Sequence, residues 1–229
     1  VTIDNCNFWS NLNVSTGGAI YNINSNANIL NSKIMNNWAS NGGGLFNALN
    51  SQTTITNCLF LNNDGSNGGA IVNNPGVNGW LDIRNSTFTR NSAGTQGSTI
   101  LNQGVLSVSN SIMYNNRAVH NGIVNSGGSA SSTTANSLIQ GFAGGIDGNI
   151  NGSIDPLFVN SPNTITPPNT IGDYRLQFCS PAINAGNNDS IPAGITTDLA
   201  GNPRIFGITV DLGAYEKQSD DSNLGNNAA

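Results

Sequence analysis

The sequence predicts an all-β fold, a parallel β-solenoid with three short strands in each coil of about 26 residues. Three observations point to it. Asn recurs in register at an almost fixed interval, apolar residues alternate between the Asn positions, and a glycine-led apolar element such as "GGAIYN" (Gly17 to Asn22) closes the repeat.

The interval is clearest in a motif of Asn, a small residue and, three positions after the Asn, a large apolar one. It runs Asn5-Cys6-Asn7-Phe8, Asn31 to Ile34, Asn57 to Phe60, Asn85 to Phe88, Asn110 to Met113 and Asn136 to Ile139, with steps of 26, 26, 28, 25 and 26 residues. A second column follows at Asn11, Asn37, Asn63, Asn91 and Asn116, and a third at Asn22, Asn47, Asn73, Asn102 and Asn125. Such self-similarity is the signature of stacked repeats.

Around the first column the apolar positions alternate, as in Thr53, Ile55 and then Cys58, Phe60, and the two-residue phase breaks at the intervening Asn. That pattern is two short strands joined by a bend. Asn suits the bend because it tolerates the left-handed conformation and bonds its own backbone or a stacked neighbour, so a column of Asn can form a side-chain ladder. The third strand carries the column Ile20, Leu45, Ile71, Ile100 and Ile123, and its glycines permit a sharp turn into it. Coils stacked at about 4.8 Å pair each strand with its equivalents above and below, so six coils make a rod of about 25–30 Å. Helical or leucine-rich repeats are excluded, because no segment has a 3.6-residue period and Gly and Asn interrupt every ten residues or so.

Only 8% of the 229 residues are charged, against about a quarter in an average soluble chain, and Asn, Ser, Thr and Gly take the polar positions. With a net charge of -5 and seven scattered basic residues, the chain lacks the basic patch that nucleic acid or anionic lipid would need. No apolar run approaches the roughly 18 residues that span a bilayer, so no membrane insertion of this segment is expected. Cys6 and Cys58 share a column two coils apart, about 9.6 Å at the coil spacing. That is beyond disulfide reach. They read as small core residues interchangeable with Ser32, Ser86, Ser111 and Ser137, and Cys179 has no evident partner.

Residues 1–140 are thus expected to be repeat coils, and 141–216, where the repeat dissolves and most of the acidic residues and prolines lie, C-terminal coils and cap of the same domain. Residues 217–229 form a polar tail or linker. An open solenoid end exposes strand edges and core, so further coils are expected before residue 1.

The signatures "GGAI" and "FxxN", here Gly17 to Ile20 with Phe8 to Asn11, Gly68 to Ile71 with Phe60 to Asn63, and Phe88 to Asn91, resemble the repeats of chlamydial polymorphic outer-membrane proteins. The second half, with "GNINGSIDPLFVN" (Gly148 to Asn160), "DYRLQFCSPAINAG" (Asp173 to Gly186), "TDLAGNPRIFG" (Thr197 to Gly207) and "VDLGAYE" (Val210 to Glu216), resembles the C-terminal portion of bacterial secreted right-handed β-helix proteins. The resemblance implies a pectate-lyase-like right-handed parallel β-helix, extracellular or on the surface of a Gram-negative bacterium. It also implies an adhesin role and a sorting or anchoring module beyond the end.

Enzymatic β-helices need clustered carboxylates, or calcium ligands with a basic residue, on one face. The repeats offer only Asp4, Asp64, Asp82, Lys33, Arg84, Arg90 and Arg117, with Arg84 placed to pair locally. His120 reads as an exposed turn residue, since no Ser, Cys or acid is placed to form a relay with it. "DGNINGSID" imitates a calcium loop through Asp147, Asn149, Asn151 and Asp155, but Phe158 stands where the bidentate Glu belongs, so a structural turn competes with calcium as a cofactor. Trp80, in the insertion "NPGVNGW", is a candidate for stacking on sugars. Tyr21 and Phe46 lead a second apolar column, with Val72, Leu101 and Val124, beside the Ile20 column. Either that column faces outward toward a partner or a bend turns both columns inward.

The sequence therefore predicts a non-enzymatic structural or adhesive module, a stalk or adhesin. Its partners would be surface glycans, other proteins or further copies of itself. The alternative is a carbohydrate-binding or polysaccharide-degrading β-helix with its site in coils before residue 1. Ice binding would need regular outward Thr columns, and "TTIT" (Thr53 to Thr56) is not repeated in neighbouring coils.

Overall fold

The structure, a computed structural model, describes residues 1–118, 122–162 and 172–218. The sequence winds into a parallel β-helix. The first coil comprises β1 (Thr2–Asp4), β2 (Asn7–Trp9), β3 (Leu12–Thr16) and β4 (Ile20–Asn22). The second has β5 (Asn26–Leu30), β6 (Lys33–Met35), β7 (Trp38–Asn41) and β8 (Leu45–Asn47). The third has β9 (Gln52–Thr56), β10 (Leu59–Leu61), β11 (Asp64–Asn67) and β12 (Ile71–Asn73). The fourth has β13 (Trp80–Arg84), β14 (Thr87–Thr89), β15 (Ser92–Gln96) and β16 (Ile100–Asn102). The fifth has β17 (Val105–Ser109), β18 (Ile112–Tyr114), β19 (Arg117–Ala118) and β20 (Ile123–Asn125), and the sixth opens with β21 (Ser131–Ala135) and β22 (Leu138–Ile139).

Equivalent strands pair in parallel into four sheets, ordered β1-β5-β9-β13-β17-β21, β2-β6-β10-β14-β18-β22, β3-β7-β11-β15-β19 and β4-β8-β12-β16-β20. Three are the strands expected from the apolar columns. The additional one, the third sheet, has the sequences LNVST, WASN, DGSN and SAGTQ, and its register slips between Asn13 and Thr16 and between Gly65 and Asn67. A mostly polar, bulged strand leaves no alternating apolar signal, so it is silent in the sequence.

The bends follow from the Asn columns. Asn5, Asn31, Asn57, Asn85, Asn110 and Asn136 have φ between 44° and 51°, in the left-handed region that Asn tolerates. Behind each lies a small residue whose Sγ or Oγ donates to a carbonyl two residues back, as Cys58 does to Thr56 at 3.2 Å and Ser86 to Arg84 at 2.8 Å. The hydroxyl in turn accepts the N–H of the coil before, Ser86 from Cys58 at 3.1 Å and Ser32 from Cys6 at 3.0 Å. All three cysteines are free.

The second column is a buried ladder. Asn37 Oδ1 accepts from the backbone and side-chain N–H of Asn11 at 2.9 and 2.8 Å, and Asn63, Asn91 and Asn116 repeat the arrangement on the coil before each. Gln140 Oε1 ends it by accepting the Asn116 N–H at 3.2 Å. The third column forms a second ladder, Asn22 to Asn47 to Asn73 to Asn102 to Asn125, with steps of 2.8–3.1 Å. The amides of these two ladders are thereby satisfied along the helix axis.

Inside, the first sheet contributes Ile29, Ile55, Ile83 and Val108, the second Ile34, Phe60, Phe88, Met113 and Ile139, and the fourth Leu45, Ile71, Ile100 and Ile123. Phe60 and Phe88 stack with centroids 4.6 Å apart. Gly18 and Gly43 have no room for a side chain, since a Cβ would lie 2.1 and 2.4 Å from carbonyl oxygens of the next coil. That close backbone approach is why the repeat keeps glycine there.

After β22 the solenoid continues through one parallel bridge, Leu138 to Ile150. The chain then turns back along the flank of the second sheet. This returning segment contains the antiparallel pair β23 (Phe158–Asn160) and β24 (Asp173–Leu176) and a 3-10 turn, Asn188–Ser190. Residues 219–229 of the expected tail, and His120, lie outside the described residues.

Candidate functional site

The outer face of the second sheet is apolar, which is why it recruits the returning segment. Met35, Leu59, Leu61, Ile112 and Leu138 point away from the solenoid core and are buried against Phe158, Tyr174, Leu176, Ala182 and Leu212. A strand apolar on both faces must be covered on both. Phe158 and Tyr174 pack edge to face with centroids 5.3 Å apart.

Polar contacts fix the segment to the first Asn column. Asn57 Nδ2 donates to the Thr197 carbonyl at 2.7 Å, Asn110 exchanges bonds of 2.9 Å with Asn187 in both directions, and the Ala214 N–H donates to Thr87 Oγ1 at 3.0 Å. Beneath lies a buried ionic cluster built from "DLAGNPR" and "VDLGAYE". Arg204 Nη2 meets Glu216 Oε2 at 3.0 Å and also donates to the Asp211 carbonyl, while Nη1 donates to the Gly213 carbonyl at 3.1 Å. Asp198 accepts from the N–H groups of Ala200, Asn202 and Glu216, and Asp211 from those of Asn184 and Lys217. Burial pushes the Glu216 carboxyl up to about 7, with the neighbouring Asp211 charge acting in the same direction and the guanidinium against it. These residues clamp the segment.

Where the segment crosses the first coils it stands off and leaves a cleft of about 600 Å³, lined on the solenoid side by Asn7, Trp9, Lys33, Met35 and Leu59 and on the other by Gly172 to Arg175, Ala200 and Tyr215. Trp9 is 46% exposed. Arg175 Nε donates to Asp173 Oδ1 at 2.9 Å, and this bond holds the Asp173 carboxyl below its ordinary range. Burial raises the hydroxyls of Tyr174, to about 12, and of Tyr215 further, so both stay protonated donors at neutral pH. A second hollow of about 380 Å³ shares Arg175 and reaches Val159, Asn202 and Gln218. The cleft thus presents an indole face, two cationic side chains and an amide. Its single carboxylate, Asp173, is bound to Arg175, whereas glycoside hydrolysis takes a pair.

The residues singled out from sequence lie elsewhere. Tyr21 and Phe46 stand on the fourth sheet with ring centroids 5.6 Å apart, and Trp80 is half-buried at the start of β13 on the first. Tyr21 is 50% exposed, yet Val72 and Leu101 of the same column are 2% and 6% exposed, so the column is open only toward its ends. The Ile20 column packs into the core and the Tyr21 column does not. Asp82 accepts from Arg84 at 2.8 Å, a local pair on the first sheet.

In the loop after β22 the side chains serve the fold. Asn149 Oδ1 accepts the Ser137 N–H and its amide donates to the Thr134 carbonyl, continuing the small-residue column by one coil. Asn151 Oδ1 accepts from Ser153, and Asp155 Oδ1 from the Leu157 N–H. Asp147 contributes its backbone carbonyl, which accepts the Asn136 N–H at 2.8 Å. No group of three or more His, Cys, Asp or Glu is placed to hold a metal ion among the described residues.

Sequence reasoning missed the cleft because its halves, Asn7 to Leu59 and Gly172 to Tyr215, are far apart in the chain. One signal was present: "LFL" (Leu59 to Leu61) is apolar at three consecutive strand positions, which marks a sheet with two covered faces. The chain matches no family model, no curated protein and no solved structure.

Proposed function

We propose that the protein is a non-enzymatic adhesive module of a cell surface or secreted assembly, a rigid rod whose flank binds acidic glycans in the cleft between the second sheet and the returning segment. The observation that carries this reading is the company Trp9 keeps. Its half-exposed indole lines the same cleft as Lys33 and Arg175. An aromatic face takes the apolar face of a pyranose ring, and flanking cations take the carboxylate or sulfate that an acidic sugar carries. The walls are preorganised, because one is a hydrogen-bonded sheet and the other is clamped by the Arg204 cluster, so little ordering cost is incurred on binding.

The test is calorimetric titration with oligomers of a uronic acid, alongside the neutral oligomer of the parent sugar. The acidic oligomer binds, the neutral one binds at least about tenfold more weakly, a difference of about 1.4 kcal/mol, and Trp9→Ala abolishes detectable heat. Equal binding to both, or full affinity in Trp9→Ala, overturns the reading. Rapid formation of unsaturated or reducing-end product overturns its non-enzymatic part.

A further inference from the structure

We propose that the corner between the second and third sheets in the fourth coil is a binding site for a small oxyanion, of the phosphate or sulfate type, held by Arg90. The residue preceding each member of the second Asn column adopts a left-handed backbone, at Ser10, Asn36, Asn62, Arg90 and Asn115, with φ of 54°, 57°, 53°, 59° and 57°. Four of the five are short polar residues suited to that conformation. Arg90 is the exception.

Arg90 is also only 4% exposed, and its Nε and Nη1 are buried without a hydrogen-bond partner. The charged or phenolic groups felt there are Tyr174, from the returning segment, and Arg117, a like charge in the next coil. No carboxylate among the described residues pairs with Arg90. A guanidinium taken out of water without a counter-charge is a costly arrangement. Two further groups are buried and unbonded, the hydroxyl of Thr89, next in the chain, and that of Tyr174, which acts electrostatically on Arg90. Ser161 is near enough to influence the Tyr174 hydroxyl, but no hydrogen bond closes between them.

A tetrahedral oxyanion carries acceptors for donors of all these kinds. Nε–H and a terminal N–H of one guanidinium form a fork that matches two oxygens of a tetrahedral anion, and the two hydroxyls can donate to the remaining oxygens. The negative charge also relieves the repulsion between Arg90 and Arg117. A metal ion or a cationic ligand would be repelled here. The site is distinct from the glycan cleft, which meets it only through Tyr174.

Thermal melting of the intact protein in phosphate, in sulfate and in chloride at matched ionic strength tests the site. The midpoint rises with the logarithm of millimolar phosphate or sulfate, as for a ligand that binds only the folded state, and the arm with the larger rise identifies the preferred anion. Arg90→Asn, which installs the residue the column carries at Asn36, Asn62 and Asn115, folds and loses the rise. Equal midpoints of the wild-type protein in all three salts overturn the proposal, as does an Arg90→Asn variant that responds as strongly as the wild type. If Arg90→Asn does not fold, the wild-type comparison alone decides.

Discussion

Arg204 and Glu216 form an ion pair of 3.0 Å whose two side chains are each 1% exposed, between the solenoid flank and the segment that returns along it. Arg204 Nη1 also lies 3.4 Å from Asn57 Oδ1 in the third coil, so the pair clamps two parts of the chain 147 residues apart. Removing one partner of a buried pair costs about 3–5 kcal/mol, because the other charge is left uncompensated. Arg204→Met leaves Glu216 without its partner and removes the positive charge that Asp198 and Asp211 also feel, and is expected to cost about that much. Urea unfolding measures the loss. Limited proteolysis locates it, with cuts falling first in the returning segment.

The interior ladder makes a graded prediction. Asn63 Oδ1 accepts both N–H groups of Asn37, and its own amide donates to the Ile34 carbonyl and to Asn91 Oδ1. Asn63→Ala leaves at least two buried donors unpaired, at about 1–3 kcal/mol each. Asn11 stands at the exposed end and only donates to Asn37. Asn11→Ala is expected to cost about 1 kcal/mol or less. Equal denaturation midpoints for the two variants would contradict the ladder's role.

How much of this was legible in the sequence follows from what the stacking rule transmits. Where a coil repeats its neighbour, every position is stated five or six times, so Asn11 to Asn116 and Ile20 to Ile123 declare both strand and face. The third sheet is repeated too, but Asn13, Ala39 and Gly65 share no common chemistry and the bulge shifts its phase. The returning segment is stated once. Nothing in "TDLAGNPRIFG" specifies that Arg204 goes beneath the Asn57 column, since that contact depends on two distant surfaces fitting. Trp9 and Arg175 face one cleft for the same reason, and no local pattern encodes their meeting.

Alkaline pH should loosen the returning segment first. Burial raises the Tyr174 hydroxyl from 10 to about 12, and raises that of Tyr215 further. The folded state then holds these protons more tightly than the unfolded chain does. The resulting stabilisation is fully present below pH 10 and is lost as pH rises toward 12, at up to about 1.4 kcal/mol per pH unit for each group. Absorbance of the ionised phenol should show Tyr174 and Tyr215 ionising only above the ordinary phenol range. Ionisation of both near pH 10 without unfolding would contradict this.

Thiol chemistry reads the same burial from another direction. Cys58 is fully buried with its thiol pushed up to about 12, and Cys179 is exposed at a turn with φ of 67°. The thiolate is the reactive form. A thiol reagent at neutral pH should therefore modify Cys179 within minutes and Cys58 only at the rate of global unfolding, which mass spectrometry of timed digests can follow. Cys6, half-buried in the first coil, falls between them. Fast labelling of Cys58 in the native protein would show that the second and third coils open locally.

The loop after β22 gives the last test. Asn149 has both ends of its side chain committed, to Ser137 and to Thr134, and Asn151 and Asp155 each have an oxygen committed to neighbouring backbone. A calcium ion asks for six to eight oxygens at one point. It would have to recover Asn149 from the column it extends, leaving the Ser137 N–H without its acceptor. The loop is accordingly expected to act as a turn, with the same melting midpoint in chelator and in millimolar calcium. Asn149→Ala, by uncapping the column and orphaning the Ser137 N–H, should lower the midpoint equally in both conditions, by the equivalent of about 1–3 kcal/mol. A midpoint that rises with calcium in the wild-type protein and not in Asn149→Ala would instead make the loop a metal site.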